Sequence, residues 1–108
     1  MPFYRIQKTP YKQKREGVRI KSFSGKNIQF AFIRLEPNFI SKHKHPEEQM
    51  GYILSGKVEI VIGEEKMECG LGDGYLIPSE TIHSFQVLLD QPVELVEAFS
   101  PPKEENKL

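Results

Sequence analysis

Three histidines and a glutamine are placed where they could share one ion. The sequence has only His43, His45 and His83 as histidines. Alternate residues of a β-strand face the same side, about 7 Å apart, so His43 and His45 can present two imidazoles to a single point. Pro46, Glu47 and Glu48 interrupt that strand, and Gln49 opens the next apolar run, Met50 to Leu54, with the parity to point inward again. Glu48 is the alternative ligand if the turn is read one residue differently. His83 follows the turn residues Gly70, Gly72, Asp73 and Gly74 and heads another alternating stretch with Phe85 and Val87. A divalent ion held by His43, His45, Gln49 and His83 meets only neutral donors, keeps its full charge and acts as a Lewis acid on a bound oxygen. Four protein ligands leave open positions only on an ion of five or six partners, which favours iron, nickel, manganese or cobalt and keeps zinc compatible.

A carboxylate joins them from the last strand. Val93, Leu95, Glu97 and Phe99 share one parity, so a face that begins as apolar core turns Glu97 inward. There its pKa would rise, and it could move a proton beside a metal-polarised substrate. If a bulge shifts the parity, Glu97 faces solvent like Glu94. Tyr52 and Tyr75 either lend hydroxyls to the cavity or pack in its wall, packing being the simpler expectation, and Tyr52 is kept as a candidate substrate contact. Arg34, with Lys103, is a candidate for holding an anionic group. Cys69, the only cysteine, permits no internal disulfide and reads as a structural thiol.

The elements that must position these residues have a period of two. Expected strands run over residues 18–23, 28–35, 42–45, 49–54, 57–62, 66–69, 74–77, 83–88 and 93–99. Short turns join them at Ser24 and Gly25, Ser55 and Gly56, Gly63 and Glu64, and Asp90 and Gln91. Such a pattern predicts an all-β sandwich or barrel, and 108 residues make one domain spanning 1–108. Residues 1–26, a basic arm with the first strand, hold eight basic side chains against one acid, and residues 27–108 hold seven against fourteen. The arm's charges alternate with Val18, Ile20 and Phe23, which predicts a solvated strand face or an arm lying on an acidic partner subunit, with no nucleic-acid partner. The tail, 101–108, is expected to fray or to pack across a neighbour. Residues 1–10 lack the apolar core expected of a leader and no apolar run reaches membrane length, so a protein without either and a cytoplasmic location are expected.

His43, x, His45, three residues, Gln49, six residues and Gly56 resemble the first cupin motif; Gly72, five residues, Pro78, four residues and His83 resemble the second. The resemblance covers roughly residues 30 to 100 and implies a double-stranded β-helix, the cupin jelly-roll barrel. The chain departs from the pattern at Gln49, where many cupins carry glutamate, at Glu80, where glycine is usual, and at Val87, where asparagine is usual. The ending from Glu97 to Lys103 is similar to that of the small cupins of pectin breakdown, which convert 4,5-unsaturated monouronates to linear keto sugars. That likeness implies Glu97 as the acid, Phe99 as the aromatic contact and Lys103 as the cation for the sugar carboxylate, with Lys in place of Arg and so without a bidentate grip. The expectation is a metal-dependent enzyme of isomerase or lyase type acting on a small polar substrate such as a sugar acid. The alternatives are a cupin dioxygenase and a non-catalytic sensor of small molecules. A homodimer is expected, since small cupins pair through sheets and N-terminal strands.

Overall fold

The structure, a computed structural model, describes residues 2–107. Ten strands follow one another: β1 Lys12–Arg15, β2 Val18–Ser24, β3 Gln29–Leu35, β4 Ile40–His43, β5 Glu48–Ser55, β6 Val58–Ile62, β7 Glu65–Cys69, β8 Gly74–Ile77, β9 His83–Val87 and β10 Val93–Ser100. They form a six-stranded sheet ordered β1-β2-β3-β10-β5-β8 and a four-stranded sheet ordered β4-β9-β6-β7. All pairings are antiparallel, and the two sheets face each other as the jelly roll. No helix of the described residues is long and apolar enough to cross a membrane.

Alternation builds the core. Val18 and Ile20 on β2, Ala31, Ile33 and Leu35 on β3, Ile53 on β5, and Val93 and Leu95 on β10 turn inward from the larger sheet, against Val58, Ile60, Phe85 and Val87 of the smaller. Each of these side chains larger than alanine, fully buried, adds about 1.5–3 kcal/mol of transfer free energy. The turn between β5 and β6 lies tightly against the chain entering β10. Gly56 there has φ +88°, and a Cβ would stand 2.7 Å from the Pro92 carbonyl oxygen, so the last residue of the first motif must be glycine. Cys69 is buried in the same core.

Three expectations are corrected. The strand expected over 42–45 runs instead over Ile40–His43, because it pairs with β9 and that partner begins at His83. β1, absent from the expected set, has no apolar alternation; it forms by pairing with the edge of β2. The arm lies as largely exposed strand in this chain's own sheet, in keeping with the solvated-strand alternative, whereas the tail neither frays nor crosses to a neighbour but packs on the same chain. A 3-10 turn over Glu104–Asn106 buries Asn106 to 1% exposure, where Ser22 Oγ donates to its carbonyl at 2.6 Å.

Candidate metal centre and cavity

β4 ends where β9 begins, so His43 and His83 stand opposite each other in register, with ring centroids 4.5 Å apart. His45 lies two residues past β4. Its Nδ1 donates to the Glu47 carbonyl at 2.9 Å, and its own carbonyl accepts the Glu80 N–H at 2.8 Å. Glu80 reaches that bond with φ +61°; the glycine usual at this point would adopt it freely, whereas a side chain bears about 1–2 kcal/mol. These contacts bring the His45 ring to 5.5 Å from His43 and 4.9 Å from His83. One ligand atom from each of the three lies within 4.8 Å of the others.

The tautomers follow from the carbonyls. A carbonyl only accepts, so His45 Nδ1 carries the proton and Nε2 presents a lone pair. His83 Nδ1 donates likewise to the Thr81 carbonyl at 2.8 Å, and its Nε2 is a buried nitrogen without a hydrogen-bond partner among the described residues. Such an orphan is unfavourable by about 1–3 kcal/mol. Gln49 adds a second mismatch. Its Nε2 donates to Glu97 Oε2 at 2.5 Å, which turns Oε1 toward His45 Nε2 at 2.9 Å. Two acceptors face each other at hydrogen-bond distance with no proton between them, and a cation satisfies both. Burial first, then the neighbouring His83, lowers His43 to about 4, and burial lowers His83 as well. Both stay neutral, the form that ligates. The residues present therefore fit a divalent ion.

Glu97 is 4% exposed. Burial raises its pKa, against the hydrogen bonds from Tyr75 and Gln49 that lower it. Tyr75 donates its hydroxyl to Oε2 at 2.5 Å. It does so across β5, since Tyr75 is paired with Gly51 and Gly51 with Glu97. A Cβ on Gly51 would stand 2.3 Å from the Tyr75 hydroxyl; the missing side chain is the passage through which the phenol reaches the acid. Among the described residues no hydrogen bond is accepted by Glu97 Oε1.

His43, Gln49 and Glu97 line a small cavity that opens to solvent. Ile33, Leu35, Phe39, Phe85, Leu95 and Phe99 give it apolar walls, and Lys14, Arg15 and Lys103 give it a basic rim. Lys103 Nζ lies 5.8 Å from the centre of the Phe99 ring.

The structure thus brings together His43, His45, Gln49, His83, Glu97, Phe99 and Lys103. It does not bring Arg34 or Tyr52. Arg34 shares the outward parity of Phe30 and Phe32 on β3 and pairs with Glu36 at 3.3 Å; its selection rested on charge, and parity turns it away. Tyr52 shares the outward parity of Met50 and Leu54 and is 44% exposed. Tyr75, expected to pack, instead uses its hydroxyl; glycine at the paired position on β5 was the available signal. Lys14 and Arg15 had none, since β1 has no periodicity.

The fold and site define a small jelly-roll barrel whose interior donors suit a metal ion. The chain belongs to the cupin family, with residues 31–99 matching the cupin domain. It is 26% identical over 98 residues to the pectin degradation protein KdgF of Dickeya dadantii, covering 88% of each chain. Among solved structures it resembles KdgF from Halomonas sp., with a TM-score of 0.88 at 19% identity over 97% of each chain. An RmlC-like cupin from Shewanella frigidimarina gives the same TM-score at 17% identity, over 97% of this chain and 95% of that one.

Proposed function

We propose that the protein is a metal-dependent enzyme of isomerase or lyase type acting on a small sugar acid. The observation that carries this reading is Glu97, a buried carboxyl that accepts hydrogen bonds from Gln49 and Tyr75 on the wall of a cavity it shares with His43 and with the cations Lys14, Arg15 and Lys103, beside a His83 Nε2 that is buried without a partner among the described residues. The likeness to a pectin degradation protein supports a uronate as substrate. His43, His45, Gln49 and His83 would hold the ion, which when bound supplies Lewis-acid polarisation of a substrate oxygen.

The chain's own residues do the rest. Glu97, its carboxyl shifted toward the protonated form by burial, would pass its proton to the sugar acid and take one back from the hydroxyl that the sugar gives up, while Tyr75 and Gln49 donate to Oε2 of the intervening carboxylate. Phe99 and the apolar wall exclude water around the sugar ring, and Lys103 meets its carboxylate as a point charge. The test is turnover of a 4,5-unsaturated monouronate by metal-loaded protein, followed as loss of the absorbance of its conjugated double bond. Turnover in wild type and its loss in Glu97→Gln with substrate binding retained supports the reading. Binding without turnover in either protein overturns it in favour of a sensor, and oxygen consumption overturns it in favour of a dioxygenase.

A homodimer is part of the same proposal. The outer face of the larger sheet leaves Phe30, Met50, Tyr52, Leu54 and Leu76 exposed, an apolar surface of the kind that marks association. Since Lys14 and Arg15 are paired within their own chain, this face and not the basic arm is the surface expected to pair. Sedimentation at dimer mass in high salt as in low salt supports it; a monomer at both contradicts it.

A further inference from the structure

Resting on the sugar-acid reading above, we propose that Lys14 and Arg15 of β1 join Lys103 in a carboxylate-binding site at the cavity rim, selecting an anionic sugar over its neutral counterpart. The register of β1 against β2 shifts between Gln13 and Arg15, so Lys14 is the extra residue of a bulge. A bulge re-aims a side chain; here it folds Lys14 onto the cavity, leaving its side chain only 10% exposed. Lys103, from the opposite end of the chain, is 12% exposed beside it. One buried amide pair holds the Lys14 ammonium and the Lys103 backbone. Lys14 Nζ donates to Asn106 Oδ1 at 2.5 Å, Asn106 Nδ2 to Gln29 Oε1 at 3.1 Å, and Gln29 Nε2 to the Lys103 carbonyl at 3.1 Å. Cations ordered before a ligand arrives lose less freedom on binding it.

The chain already shows what these cations recognise. Lys103, Lys14 and Arg15 lie 2.9, 3.0 and 3.4 Å from one oxygen, Oε1 of Glu105. The hydrogen bond from Lys103 leads in holding that carboxyl down to about 2. Glu105 is 52% exposed and stands outside the cavity wall that the three cations line. The two lysines are shielded while Arg15 and the acid are half-exposed, and three positive charges against one negative leave the rim with a surplus for a second carboxylate on the cavity side. Glu105 shares the cations with that ligand and competes for them, as an internal group at high effective concentration does.

Calorimetric titration of metal-loaded protein with galacturonate and with galactose tests this on wild type, Lys14→Met, Arg15→Gln and Glu105→Gln. Galacturonate is expected to bind wild type more tightly than galactose. Lys14→Met should weaken galacturonate about tenfold, the value of one charge-assisted hydrogen bond, and Arg15→Gln less, while galactose is unmoved. Glu105→Gln should tighten galacturonate several-fold, a gain that a folding defect does not produce. The proposal is overturned if galacturonate binds no better than galactose, if both cation variants leave it within about twofold, if they weaken both sugars equally, or if Glu105→Gln brings no gain. Turnover of the unsaturated monouronate is followed in parallel. Turnover with charge variants that change nothing sinks the rim site alone, whereas charge-dependent galacturonate binding without turnover leaves the rim site standing and sinks the enzyme reading.

Discussion

His43, His45, Gln49 and His83 offer only neutral donors from the middle of the chain, with His43 and Gln49 on the cavity wall; Lys14, Arg15 and Lys103 bring fixed charges to the same cavity from the chain's two termini. On the proposed reading, neutral donors would leave a bound ion its charge to act on a substrate oxygen. Fixed cations would orient an anionic substrate and draw it in by field, an effect that salt screens. Glu97 stands between the two, bonded to Gln49 on the donor side and to Tyr75 across Gly51. A change at each place should therefore move a different quantity.

The largest effect is expected in the middle. Glu97→Gln should lower kcat by about 10²–10⁴-fold, the scale of a lost general acid, with metal content unchanged in elemental analysis; loss of the ion would instead make Glu97 part of the donor end. Gly51→Ala closes the passage taken by the Tyr75 ring and should destabilise the fold by about 1–3 kcal/mol, read as a lower denaturant midpoint. An unchanged midpoint would mean that the phenol has another route. Lys103→Met should raise KM about tenfold with kcat little altered, as expected for a contact made equally in ground and transition states. A fall in kcat alone would move Lys103 from the rim's work to the chemistry.

The smallest effect separates the two ends by pH. His43 has its folded pKa lowered from 6.5 to about 4, so below 6.5 the unfolded chain takes up the proton first. The contribution of His43 to the stability of the metal-free protein, taken as the difference between wild type and His43→Gln so that the opposite contribution of Glu97 cancels, should be full above 6.5 and fall as the pH drops towards 4. Glu105, lowered to about 2, is ionised throughout that window and leaves the rim unchanged. Melting curves of both proteins across pH 4 to 7 check the direction; a rise in that difference on acidification would contradict it.

The donor end was legible in the sequence because its spacing is local. His43 and His45 share a face, Gln49 follows one turn later, and His83 heads an alternating strand; parity alone turned each inward, as it did Glu97 and Phe99. Parity also argued against Arg34 and Tyr52, which were chosen for charge and hydroxyl and lie on the outer face. Of the basic rim only Lys103 is expected from the sequence, through the resemblance of the tail; Lys14 and Arg15 are not. Lys14 reaches it through a bulge in a strand with no apolar residue, and Lys103 through a tail pinned by Gln29 and Asn106, residues 77 apart in sequence. Pairings of that kind depend on the register of distant strands, which composition and periodicity do not record.

Elemental analysis of purified, untagged wild type beside His45→Ala tests the central claim most directly. About one divalent ion per chain in wild type, retained in Lys103→Met and absent from His45→Ala, is the result expected of a site built from neutral donors alone. Wild type that holds no ion after incubation with iron, nickel, manganese, cobalt and zinc would contradict it.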